Sequence, residues 1–109
     1  EPQEAGGLDT RDMWRRVMIG HAVANCTYVA AANRVGTEGE ATFYGNSFVA
    51  DPRGEVIAEA DRAGEALIMA DLDLGWARSF RAGFGFFRDR RPDLYGPLLS
   101  LDGRPRDER

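Results

Sequence analysis

The chain contains no lysine. All 14 of its basic residues are arginine, against 18 acidic residues, in a length of 109. A mechanism in which these residues supply a lysine is therefore excluded, whether as Schiff base, proton carrier or phosphate clamp. Arginine is no substitute, because its guanidinium keeps its proton in proteins. There is one cysteine, Cys26, and one histidine, His21. A single cysteine forms no internal disulfide, which leads us to expect a reducing, cytoplasmic setting. One histidine and one cysteine are too few for a zinc site, so neither a metal nor a cofactor is expected. No stretch approaches the roughly 18 apolar residues of a membrane span, and no membrane is expected as a partner. The opening Glu1-Pro2-Gln3-Glu4 is acidic and polar, the opposite of a signal peptide. The net charge of -4 lacks the basic excess that nucleic acid requires, so nucleic acid is not expected either. The first residue is not Met, and processing or truncation at that end is expected.

What is present reads as one α/β unit. Residues 1–8 read as a loop. Asp9 or Thr10 is placed to cap a helix running to about Asn25, with Asp12 in its first turn. Met13, Trp14, Val17, Met18, His21 and Ala22 recur at helical spacing and predict an apolar stripe. Gly20 inside it suggests a close approach by another element, at a cost of roughly 1 kcal/mol against Ala. Thr27 to Asn33 is almost wholly apolar and predicts a strand buried on both faces. Gly36 to Glu40 reads as a loop, Phe43 to Ala50 as a strand with a glycine break. Asp51-Pro52-Arg53-Gly54 reads as a hairpin turn and Glu55 to Ala60 as the returning strand. After a turn at Asp61 to Gly64, Ala66 to Leu72 predicts a third strand. Asp73 is placed to cap a short helix through Trp76 and Arg81. A doubly buried strand needs cover on two sides, and two helices hardly supply it. Part of the fold is therefore expected to lie outside this chain.

Three segments carry a resemblance. Trp14 to Gly36 (WRRVMIGHAVANCTYVAAANRVG) and Phe43-Tyr44-Gly45-Asn46-Ser47-Phe48 with the Gly-Glu hairpin after it resemble the nitrilase, or carbon–nitrogen hydrolase, superfamily. The run Phe87-Arg88-Asp89-Arg90-Arg91-Pro92-Asp93-Leu94-Tyr95 is similar to its N-carbamoylputrescine amidase branch. Phe84 departs from the tryptophan that close relatives tend to carry. The resemblance implies the C-terminal portion of an α-β-β-α sandwich, incomplete here, over residues 1–103, with 104–109 as a polar tail. It implies subunits that pair, hence a homo-oligomer, and a small carbamoylated amine as substrate. The implied chemistry uses a Cys nucleophile, a Glu base and acid, and a Lys that steadies the oxyanion. All three would precede Glu1, so no catalytic residue is assigned to this chain, which alone is expected to be inactive.

Each candidate residue has a plainer alternative. Cys26 falls at a helix–strand junction where the family has no catalytic residue, and a small buried apolar residue is expected. His21 shares the predicted helix stripe, and a packed, hydrogen-bonded imidazole is expected. Asp71/Asp73 and Glu55/Glu59 are taken as strand ends and solvated faces without partner donors. Glu1 is the one substrate-binding candidate. Glu1-Pro2 matches a loop that lines the pocket in the amidase branch, where a carboxylate would meet the distal ammonium of the diamine. Residues 88–95 read as an interface arm rather than a nucleic-acid patch, since Asp89 and Asp93 interrupt the arginines. The first helix is either a second interface or ordinary packing. The rivals are amidases of carbamoylated acids, whose pockets need a basic clamp, and a non-catalytic nitrilase-like interaction module. Alone, the chain is expected to be poorly stable, with apolar area left in water at roughly 25 cal/mol per Å2.

Overall fold

The computed structural model describes residues 8–104. Helix α1 spans Arg11–Asn25. Its start is served by Asp9, whose carboxylate accepts from the Arg11 amide at 3.0 Å; Thr10 holds the cap position without a side-chain cap hydrogen bond. Its end is a Schellman motif. The Cys26 amide donates to the Val23 carbonyl at 3.1 Å and the Thr27 amide to that of Ala22 at 3.0 Å, with Cys26 left-handed at φ 47°.

Trp14, Met18 and Ile19 of α1 pack onto a core of Ala22, Phe48 and Ala50, joined by Val29, Ala31 and Val56. The Trp14 ring meets Phe48 edge-on at 5.5 Å between centroids. The predicted stripe is thus split. Trp14, Met18 and Ala22 face the sheet, while Met13 and Val17 are 60% and 58% exposed and His21 also lies outside. The apolar arc of the helix is wider than one sheet face can cover.

That sheet has three antiparallel strands, β1 (Val29–Ala31), β4 (Phe48–Ala50) and β5 (Val56–Glu59), in the order β1-β4-β5. Val29 pairs with Ala50, Ala31 with Phe48, and Ala50 with Val56, which puts the core residues on the α1 face. Ala30 points the other way and is exposed. The expectation of a strand buried on both faces over 27–33 is therefore corrected: only the α1 side is covered among the described residues.

Between β1 and β4 stands a separate hairpin, β2 (Val35–Glu38) with β3 (Ala41–Tyr44). Residues 36–40 were expected as loop. Gly36 and Gly39 hide the alternation that would signal a strand, yet Thr37 pairs with Thr42 and their hydroxyls lie 3.1 Å apart. Gly45 and Asn46, both left-handed (φ 60° and 55°), turn the chain back into the main sheet. A Cβ on Gly45 would lie 3.0 Å from the Val35 side chain, so space as well as φ selects glycine there. Asn46 is among the residues that tolerate that region, and its side-chain amide donates to the Ala60 carbonyl at 3.0 Å.

The turn at Asp51-Pro52-Arg53-Gly54 forms as expected, closed by the Asp51 amide on the Glu55 carbonyl at 2.8 Å. Helix α2 spans Leu74–Gly83, and the Asp73 carboxylate accepts from the Trp76 amide at 2.8 Å. Ala66 to Leu72, expected as a third strand, joins no ladder among the described residues. A strand's hydrogen bonds need a neighbour, and residues 66–72 are hydrogen-bonded to none among the described residues. Two short 3-10 turns, Pro92–Leu94 and Gly96–Leu99, follow α2 and are exposed. The Cα radius of gyration is 18.1 Å, where a compact domain of this length has about 13 Å.

Candidate functional site

Glu1, the substrate-binding candidate, lies outside the described residues, as do 105–109 of the expected polar tail.

Cys26 is fully buried. Its Sγ lies 3.5 Å from the carbonyl oxygens of Val23 and Phe84, tying the end of α1 to the chain after α2. A nucleophile needs access and an activating base. Cys26 has neither among the described residues, in keeping with the expected small buried side chain.

His21 is a correction. It is exposed, not packed, because it sits on the outer side of α1. Its recorded hydrogen bond is through the backbone, with its carbonyl accepting from the Asn25 side chain at 3.0 Å. Glu59 and Asp73 are corrected too, since both have donors. Glu59 pairs with Arg15 of α1 at 2.8 Å, and Asp73 caps α2. Glu55 and Asp71 are exposed, as expected of solvated positions.

One concavity of the described residues is a cleft of about 530 Å3 between the sheet and α2. Its lining includes Tyr28, Asp51, Arg53, Asp71, Asp73 and Trp76. The β4–β5 turn places Asp51 and Arg53, the start of α2 places Trp76, and β1 follows Tyr28 directly. Asp51 is buried and accepts from the amides of Arg53 and Glu55 at 2.8 and 3.0 Å. Its other oxygen pairs with the Arg53 guanidinium at 3.2 Å. Burial pushes the Asp51 carboxyl up, but the Glu55 and Arg53 hydrogen bonds outweigh it and hold it below the usual carboxylate range. The guanidinium lies 5.4 Å from the Trp76 ring centroid, and the Tyr28 hydroxyl accepts from the Asp73 amide at 3.2 Å.

This constellation was not anticipated. Asp51-Pro52-Arg53-Gly54 reads as a turn, and nothing in its spacing tells that Trp76 will meet it. Its central carboxylate and guanidinium pair with each other, and its lining holds no cysteine, serine, threonine or histidine. No group of three His, Cys, Asp or Glu among the described residues is placed to hold a metal ion. In the arm after α2, Arg88 pairs with Asp89 and Arg91 with Asp93, both at 2.7 Å, and Arg90 lies over the Phe87 ring at 3.8 Å. Much of its charge is thus spent locally.

Comparison with known proteins places these features. The sequence pattern of the carbon-nitrogen hydrolase family matches residues 4–82. The chain is 52% identical to an N-carbamoylputrescine amidase of Arabidopsis thaliana, over 94% of this chain and 37% of that protein. It is 46% identical to a citrullinase of Francisella tularensis, over 84% of this chain and 33% of that protein. Among solved structures, a carbon-nitrogen hydrolase from Helicobacter pylori superposes with a TM-score of 0.80 at 34% identity, covering 91% of this chain and 37% of that one. The chain thus spans little more than a third of the length of the curated relatives it matches.

Proposed function

Because the chain belongs to the carbon-nitrogen hydrolase family, we propose that it is part of the scaffold of an enzyme that hydrolyses the ureido C–N bond of N-carbamoylputrescine. The observation that carries this reading is the 52% identity to the plant amidase across 94% of the chain. The products are putrescine, CO2 and ammonia, with one water consumed. The reacting residues are a Cys thiolate that attacks the ureido carbon, a Glu that moves protons, and a Lys that holds the oxyanion. They belong to polypeptide beyond these 109 residues. The lack of lysine supports that assignment, as does the inaccessibility of the one cysteine.

On this reading α1 and the sheet form one helix–sheet layer of the sandwich. The uncovered side of α1, with Met13 and Val17 on either side of one turn and Gly20 beyond, meets a second subunit in a homo-oligomer. Residues 88–95 form an arm near a subunit interface. Glu1 contributes a carboxylate for the distal ammonium of the substrate, a charge-assisted contact.

The test is ammonia release by the complete enzyme from N-carbamoylputrescine, citrulline and an N-carbamoyl amino acid. The expected outcome is the highest kcat/KM on the carbamoylated amine, with a raised KM for Glu1→Gln. Preference for a carbamoylated acid would overturn the substrate assignment. The 109-residue chain by itself should release no ammonia. Turnover by it that disappears in Cys26→Ser would overturn the scaffold reading.

A further inference from the structure

We infer that Asn46 and Arg62 are positioning residues for the substrate site: through Arg11 and Asp9 they fix the start of α1, and with it the chain that arrives there from Glu1. This rests on the assignment of Glu1 to the distal ammonium and deepens it. Glu1 stands eight positions ahead of Asp9. The start of α1 is therefore the fixed end from which that carboxylate is held, and the length between them limits its reach.

The cap position leaves the start of α1 to other contacts. Thr10 makes no side-chain cap hydrogen bond, and the first amides of a helix have no partner within it. What holds this entry reaches across the chain. Asp9 accepts from the Arg11 amide at 3.0 Å with one carboxylate oxygen and from the Arg62 guanidinium at 2.8 Å with the other. Arg62 belongs to the turn after β5. Arg11 donates through Nε to the Asn46 side-chain oxygen at 3.2 Å.

Asn46 is the node of this arrangement. It is 7% exposed and left-handed. Its side-chain amide donates to the Ala60 carbonyl at 3.0 Å, and its backbone amide donates to that of Asp61 at 3.3 Å. One buried side chain thus joins the start of α1, the junction of β3 with β4 and the end of β5. A buried amide satisfied at both its ends specifies one arrangement, because slippage of any of these elements leaves a donor or acceptor unpaired. The Trp14 ring of α1 stands 6.0 Å from that of Tyr44 and backs the same junction. Asn46 also lines a concavity of about 280 Å3 with Asn33, Ser47 and Asp61. The node therefore borders open space rather than lying deep in the core. Its action on substrate is indirect, through the placement of the α1 entry.

The experiment measures kcat/KM of the complete enzyme on N-carbamoylputrescine and on N-butylurea, which carries the same ureido group and lacks the ammonium. The ratio of the two reports the ammonium contact, whereas a general loss of fold lowers both and leaves the ratio unchanged. Glu1→Gln should lower the ratio about 10- to 100-fold, as for the loss of a charge-assisted hydrogen bond. Asn46→Gly, which suits the left-handed backbone, and Arg62→Met should each lower it about 10-fold by misplacing that carboxylate. Arg62→Lys keeps a cation opposite Asp9 and should retain most of it. Adding Arg62→Met to Glu1→Gln should lower the ratio no further, since the tie acts through Glu1. Should Asn46→Gly fail to fold, Arg62→Met decides, because an ion pair as exposed as Arg62 with Asp9 contributes little to stability. A ratio unchanged in Arg62→Met, while Glu1→Gln lowers it, would overturn the inference and leave the Glu1 assignment standing. A full additional loss in the double variant would overturn it equally. A ratio unchanged in Glu1→Gln overturns the Glu1 assignment and the inference together.

Discussion

Cys26 offers the sharpest test of how these residues divide between structure and chemistry. It occupies the position after α1 that glycine usually holds, with a left-handed φ of 47° and a fully buried thiol. A left-handed backbone costs a non-glycine residue about 1–2 kcal/mol. Burying the thiol returns about 1 kcal/mol, by analogy with a methylene group. Cys26→Ala keeps the strain and loses the burial, so it should destabilise by about 1 kcal/mol. Cys26→Gly loses the burial and about 0.5–1 kcal/mol of backbone entropy, but releases the strain. It should fall within about 1 kcal/mol of the parent. Neither variant should change turnover, because among the described residues the thiol's hydrogen-bond partners are the Val23 and Phe84 carbonyls. The assay is urea unfolding of the complete enzyme beside kcat/KM on N-carbamoylputrescine. A fall in kcat of about 1000-fold in Cys26→Ala at an unchanged unfolding midpoint would refute the reasoning, since it would put the thiol in the reaction. A Cys26→Gly variant clearly less stable than Cys26→Ala would refute the strain argument alone.

Three further outcomes are expected of the complete enzyme. Phe48→Ala removes the largest fully buried side chain among the described residues, 1% exposed and packed edge-on against Trp14. It should cost about 3–5 kcal/mol in urea unfolding. Asp73→Ala deletes the side-chain acceptor for the Trp76 amide and should cost about 1 kcal/mol, with Asp73→Asn largely retaining the cap. Asp51 has a folded-state pKa held below its unfolded value, so its contribution to stability is present above pH of about 4 and is lost as pH falls through the folded value. Asp51→Asn should therefore flatten the acid limb of an unfolding midpoint measured against pH, and an unchanged limb would contradict the hydrogen-bond assignment.

The elements legible in the residues are those with local causes. Helix α1 follows from apolar spacing, its end near Asn25 from the loss of that spacing, and α2 from the capping Asp73. The β4–β5 hairpin follows from Asp51-Pro52-Arg53-Gly54, whose proline and glycine suit only a turn. The errors fall where the cause is not local. The β2–β3 hairpin was masked because Gly36 and Gly39 carry no side chain to show which face they present. His21 was placed on the packed side because the periodic arc of α1 fits two orientations, and only the sheet decides between them. The Asp51–Arg53–Trp76 seam joins residues more than 20 positions apart, a proximity that no spacing rule contains.

Taken alone, the sequence determined the chemistry these residues cannot perform, the α/β alternation, and the family resemblance that the comparisons bear out. Composition and local periodicity suffice for each. The tertiary structure decided which side of α1 is covered, that Cys26 is sealed between two carbonyls, and that residues 66–72 stand without a partner among the described residues. Burial and strand pairing are relations between distant segments. They depend on which surfaces meet, and the order of residues along one chain leaves that open.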